Sequence, residues 1–167
     1  LASSENNHMI STLQRPNLIE PAGMQLAAKF ILDICSKNNL VPNIYDLYSC
    51  FPVAIQMFAK SLNLNNIKDK TVTGAMPFAG GPLNSYVLHS TAKLIEKLRE
   101  NNGIGIVTGV SGMMTKQSYA LWSKNKEIDF ILKDVTKDAE TIEKALELSE
   151  FEDGEGKIVG YTVISLS

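Results

Sequence analysis

Apolar residues recur along the first two thirds of the chain with two different periods, and each period predicts a different element. Leu26, Ala27, Phe30, Ile31 and Ile34 fall at helical spacing after Pro21, which suits a first helical turn, and Asn38-Asn39 ends the run. Ile44 to Tyr48 reads as a short strand, and Pro52 opens a second helix with Ala54, Met57, Phe58 and Leu62 on one face. Thr71 to Thr73 reads as a short strand entering a loop dense in glycine and proline, Gly74 to Asn84. Val87, Leu88, Thr91, Leu94, Ile95 and Leu98 then mark a long amphipathic helix, closed by Asn101-Asn102-Gly103. Ile104 to Thr108 is almost continuously apolar, as in a strand buried on both faces, and Ser118 to Trp122 suits its hairpin partner. Helices alternating with strands predict an α/β fold, a mixed sheet layered between helices. The polar, turn-rich first 20 residues predict a loop or arm instead.

The pattern changes after Ser123. Lys124 to Glu127 is a polar break, Asp138 to Ser149 reads as an acidic amphipathic helix, and Gly154-Glu155-Gly156 turns into an apolar, strand-like run, Ile158 to Ile164. This divides the chain into a first domain, 1–123, and a second stretch, 124–167, consisting of a linker helix and the start of a short, partial β module. The chain opens on Leu1 and closes on that run, so the expectation is a part of a longer protein.

Composition narrows the classes of partner. A net charge of -2 over 167 residues supplies no long-range attraction for nucleic acid or an anionic membrane. No apolar run approaches the roughly 18 residues of a membrane span, and no signal-like segment opens the chain. Cys35 and Cys50 lie in separate predicted elements and are joined only by His8 and His89, which excludes a disulfide framework and a His/Cys zinc site. The expected compartment is the cytoplasm, with no metal; a homo-oligomer is compatible with the composition.

Candidate chemistry centres on the glycine loop. Glycines and prolines packed ahead of a helix leave backbone N–H groups open to a phosphate or a reacting carbonyl oxygen, and equally make a tight turn with Pro82 at the helix start. Cys50 precedes a helix whose dipole would favour a thiolate, although free cysteines are more often buried packing groups. His89, about two turns into the following helix, is either a site residue or an ordinary helix residue. Ser111 in Gly109-Val110-Ser111-Gly112 has the outline of a nucleophile elbow with its closing glycine displaced. Lys116 and the cluster Lys93, Lys97 and Arg99 are candidates for phosphate contact, the cluster also fitting a solvated helix face.

Four segments, in order, resemble the C-terminal half of thiolases. Arg15-Pro16-Asn17 followed by Pro21 resembles the linker and first helix of that half, and Asp46-Leu47-Tyr48-Ser49-Cys50-Phe51 is similar to the family's Asn-Glu-Ala-Phe or His-Asp-Cys-Phe segment. Gly74 to Asn84 resembles the loop that carries Gly-His-Pro, and Ile104 to Thr115 the strand and turn that present Cys-x-Gly. The likeness covers about residues 10 to 123 and is strongest to acetyl-CoA acetyltransferase-like members. It implies action on acyl-CoA thioesters, with coenzyme A thioester as substrate, no permanently bound cofactor, and a missing N-terminal half that holds the nucleophilic cysteine. It also implies Tyr48, Ser49, Gly81 and His89 as catalytic positions, and Phe78, Gly80, Gly81, Asn84, Gly109 and Ser111 as the acyl-CoA pocket. Gly81 stands in the place of the catalytic histidine, and the second cysteine's place falls at or near Thr108. These departures leave a non-catalytic protein that binds acyl-CoA or scaffolds a partner as the alternative. The resemblance further implies that Tyr48-Ser49, Phe78 to Asn84 and Gly109 to Gly112 converge on one pocket.

Overall fold

The computed structural model describes residues 1–64, 70–112, 114–150, 153–158, 161 and 163. Five strands form one mixed sheet in the order β2-β3-β4-β1-β5: β1 (Ala2–Asn6), β2 (Ile44–Asp46), β3 (Ile104–Ser111), β4 (Lys116–Ser123) and β5 (Ile131–Asp134). The β3–β4 hairpin is antiparallel with Ile106 opposite Leu121, as the apolar runs predicted. β2 runs parallel to β3, and β1 runs antiparallel to β4, so the carboxyl ends of β1, β2 and β3 lie along one edge of the sheet.

Helices cover both faces, which is the layered α/β architecture expected. On one face α1 (Ala22–Lys37) and α2 (Pro52–Ser61) bury Met24, Ala27, Ile31, Met57 and Phe58 against Ile106, Tyr119 and Leu121. On the other, α4 (Tyr86–Glu100) lays Leu94 and Leu98 on Val107, with Trp122 packed alongside. Tyr119, wholly buried, meets Phe58 edge to face at 5.4 Å and shares a 2.8 Å hydrogen bond with Ser61, while burial pushes its phenol pKa upward. Gly105 lets α4 come this close: a Cβ there would lie 2.6 Å from Leu94 Cδ2.

The first residues correct the expected arm. Ala2–Asn6 is an inner strand between β4 and β5, and its inward positions are largely polar. Ser4 donates to Ala27 O at 2.8 Å, and Asn6 Nδ2 donates to Thr115 O and Gln117 Oε1. The alternation is present, but hydroxyl and amide groups occupy the buried face because each finds a partner there.

Other elements shift. The β2 strand ends at Asp46, two residues short of the expected Tyr48, and Thr71 to Thr73 forms a bend instead of a strand. The glycine loop contains a helical turn, α3 (Met76–Ala79), and a 3-10 turn, Leu83–Ser85. The acidic helix is shorter and earlier, α5 (Thr136–Ile142). Most of the expected strand Ile158 to Ile164 lies outside the described residues. The polar break after Ser123 does not interrupt the sheet, because β5 pairs in parallel with β1 and Glu143 accepts the Ala22 N–H at 2.8 Å. That carboxylate caps α1, whose preceding residue, Pro21, has no side-chain oxygen to do so.

Replacing Gly105 with alanine is expected to cost about 1–3 kcal/mol, the range for overfilling a packed interior. Urea denaturation checks it; an unchanged midpoint would mean that Leu94 can move aside and that the α4 contact is looser than described.

Candidate functional site

At the carboxyl-end edge of the sheet, one buried carboxylate gathers the surrounding loops. Asp46 is wholly buried at the end of β2. Its Oδ2 accepts from the Thr71 hydroxyl at 2.8 Å, the Val72 N–H at 2.9 Å, and both the N–H and the hydroxyl of Thr73 at 3.0 Å. Its Oδ1 accepts from the Ser90 hydroxyl at 2.6 Å and, at 3.4 Å, from the Tyr86 hydroxyl, both on α4. None of the ion pairs among the described residues includes Asp46, so neutral donors alone offset the cost of burying it.

The glycine loop is rooted in this network. The Ala75 N–H is bonded to the hydroxyl oxygens of Thr71 and Thr73 at 3.0 and 3.2 Å, and the Met76 N–H to Ser49 Oγ at 2.9 Å. Ala75 itself sits at φ 66°, ψ 175°, a conformation suited to glycine. Four amides at the base of the loop, those of Val72, Thr73, Ala75 and Met76, are therefore consumed internally. This narrows the expectation of a row of exposed donors: Phe78, Ala79 and Gly80 amides bond within α3, and Pro77 and Pro82 have no N–H. Gly81 keeps an exposed amide, and its missing Cβ would meet only Met76 Sδ at 3.7 Å.

The sequence-derived site residues fall into three groups. Tyr48 and Ser49 belong to the buried base: the Tyr48 N–H donates to Thr108 Oγ1 at 2.9 Å, and its ring packs edge to face on Tyr86 at 5.4 Å. Ser49 is buried, donating to the Tyr86 hydroxyl at 3.3 Å. Burial, then the neighbouring Cys50 and Tyr86, raises the Tyr48 phenol pKa. Phe78, Gly80, Gly81 and Asn84 form the outward tip, where Phe78 and Leu83 are 86% and 89% exposed, and His89 is exposed on α4. Gly109 and Ser111 line an open groove of about 380 Å³ at the end of β3, together with Val87, Lys116, Ser118 and Asn7.

The structure thus brings Tyr48 and Ser49 together with the base of the loop and with Thr108 on β3. It does not bring the tip, Phe78 to Asn84, onto the groove wall, which the first turn of α4 reaches through Val87. Ser111 lies exposed at the end of β3, and none of the hydrogen bonds among the described residues ties it to a histidine or carboxylate that would activate it. Cys50 is half-buried with its Sγ 4.0 Å from Met114 Sδ, and burial raises its thiol pKa despite opposing backbone hydrogen bonds. Lys93 and Lys97 pair with Glu96 and Glu100, as on a solvated helix face. Among the described residues no cluster of His, Cys, Asp or Glu could hold a metal.

Asp46 is the residue that sequence reading passed over as a site member. The available signal was a carboxylate at the end of an apolar strand, with Thr71 and Thr73 two residues apart further along the chain. The donors that satisfy it are hydroxyl and backbone groups from distant segments, and such partners leave no charge pattern in a sequence.

No protein-family model matches the chain, and no curated protein does. Among solved structures, it is similar to a monomeric SCP2-thiolase like protein type 1 from Mycobacterium smegmatis, with a TM-score of 0.63 and 23% identity. The match covers 74% of this chain and 28% of that one. At this identity the likeness shows the fold, which is thiolase-like. Among the described residues no helix is long and apolar enough to cross a membrane.

Two outcomes follow from the site's geometry. Ala75→Gly should relieve about 1–3 kcal/mol of backbone strain while giving up a buried methyl worth about 0.8 kcal/mol. A net gain on the order of 1 kcal/mol is expected in urea denaturation, and a clear loss would show that the loop stores no strain there. Because its pKa is raised, Cys50 is a neutral thiol at pH 7; its alkylation by iodoacetamide, resolved by mass spectrometry, should climb only above the ordinary thiol range. A titration midpoint below that range would restore it as a nucleophile.

Proposed function

We propose that this chain is the C-terminal half of an acetyl-CoA acetyltransferase-like protein that acts on acyl-CoA thioesters. In this reading the glycine loop contributes to the acyl-CoA pocket, and the N-terminal half of a thiolase is its partner in the same protein. The observation that carries it is the rooting of the loop: Ser49 and Asp46 fasten its base to the end of β2, on the sheet edge that also bears the groove. Ligands of open α/β sheets gather at the carboxyl ends of strands. Gly81 would offer its free N–H to the thioester oxygen, and Lys116, on the groove wall, would meet a coenzyme A phosphate. The substrate would enter and leave, with no cofactor held permanently. We place this activity in acyl-lipid metabolism and in the cytoplasm, where Cys35 and Cys50 stay reduced.

One set of observations favours a second reading, in which the pocket binds acyl-CoA without turning it over. Glycine stands at position 81, Cys50 has a raised pKa, and Ser111 lacks an activating partner among the described residues. Losing several members of a cooperating catalytic set costs orders of magnitude in rate.

The chain by itself is expected to cleave no acetoacetyl-CoA; cleavage abolished by Cys50→Ala would overturn that. In the full-length parent, Gly81→Leu should weaken acetyl-CoA binding roughly tenfold or more, about 1.4 kcal/mol, with the fold intact, as read by calorimetry. Gly81→His is the sharper variant, since the position has room for a side chain. Acyl transfer that appears or rises supports a thiolase lacking one group; unchanged binding in Gly81→Leu removes the loop from the pocket.

A further inference from the structure

We infer that Asp46 is the positioning residue of the glycine loop, acting through Thr71 and Thr73 to set the backbone that presents Gly81; its relevance to ligand rests on the acyl-CoA reading above. The argument begins with acceptor count. Six donors from five residues converge on two oxygens of a wholly buried side chain. Only an ionised carboxylate accepts at every such site, whereas an amide of the same shape would turn an N–H toward donors.

The loop has little else to define it. Beyond Met76 its bonds are local: Phe78, Ala79 and Gly80 amides return to Ala75 and Met76, Leu83 to Gly81, and Ser85 to Pro82. Its direction therefore derives from the base. There the Thr71 hydroxyl donates to Asp46 and accepts the amide hydrogens of Thr73 and Ala75. Thr73 repeats the arrangement, donating to Asp46 and accepting from Ala75. These two hydroxyls hold Ala75 at φ 66°, and α3 starts at the next residue. Tyr86, in contact with Asp46, Thr73 and Ser49, adds the first turn of α4 to the same assembly. A displacement of the carboxylate would be felt at Ala75 through two relays and would re-aim the turn that exposes Gly81.

Asp46→Asn is the direct variant and risks losing the fold, so Thr71→Val, which keeps shape and removes one relay, carries the test in the full-length parent. Two quantities are measured: hydrogen exchange of the Ala75 amide, and the ratio of affinities for acetyl-CoA and free coenzyme A. The expected result is exchange at least tenfold faster and an acetyl-CoA preference reduced severalfold. Thr71→Ser, which restores the hydroxyl, should return both to wild type. A merely structural role would lower both affinities alike and leave their ratio unchanged, and that result overturns the inference, as does wild-type exchange at Ala75 in Thr71→Val. If the unmodified protein binds neither compound, the acyl-CoA reading fails, while Ala75 exchange in Asp46→Glu, which keeps both threonine hydroxyls but displaces the carboxylate, still decides whether Asp46 sets the loop, and wild-type exchange there overturns the inference.

Discussion

A carboxylate taken out of water at the end of β2 is the constraint on which the segments around that sheet edge depend. A buried carboxylate is tolerable only when its lone pairs are filled, and here the filling is done by residues 71 to 73 and by two side chains of α4. The bend, the helix and the strand are consequently one cooperative unit. Removing any donor would not simply delete a bond; it would leave the charge less well solvated by the protein. The strained start of α3 is tied to this arrangement through Thr71 and Thr73.

How much of this was legible in the sequence depends on what kind of group does the packing. Where apolar side chains fill the buried face, as in α1, α2, α4 and the β3–β4 hairpin, period and punctuation located the elements to within a few residues. The β1 strand stayed hidden because Ser4 and Asn6 occupy inward positions, and their solvation by Ala27, Thr115 and Gln117 is a tertiary fact. The Thr71 to Thr73 segment has β-branched residues suited to a strand, yet its hydroxyls are turned to a carboxylate, and the bend wins. The glycine loop was recognised as a loop; that most of its base amides are already spent was not readable from composition.

The same distinction governs the candidate site. Glycine density and motif order singled out segments that share one sheet edge, and Tyr48, Ser49, Gly109 and Ser111 are all found along it. What the motifs did not separate is role. Tyr48 and Ser49 support the loop from beneath, Gly81 lies at its surface, and Gly109 and Ser111 belong to a groove that the loop tip does not line. The segments that carry the motifs thus divide, in this fold, into support and surface.

The polar inner strand also bears on how the chain is made. Ala2 pairs with Leu121, so the middle of the sheet waits for a partner 119 positions further on. Synthesis at roughly 5–20 residues per second leaves β1 without that partner for about 6–24 seconds. An apolar strand with bare edges would spend the interval as an aggregation template. Serine, glutamate and asparagine in β1 keep the waiting segment soluble, and the inward ones are bonded in the finished fold, Ser4 to Ala27 of α1 and Asn6 to Thr115 and Gln117. The composition that conceals this strand from a reader of the sequence would conceal it equally from other nascent chains.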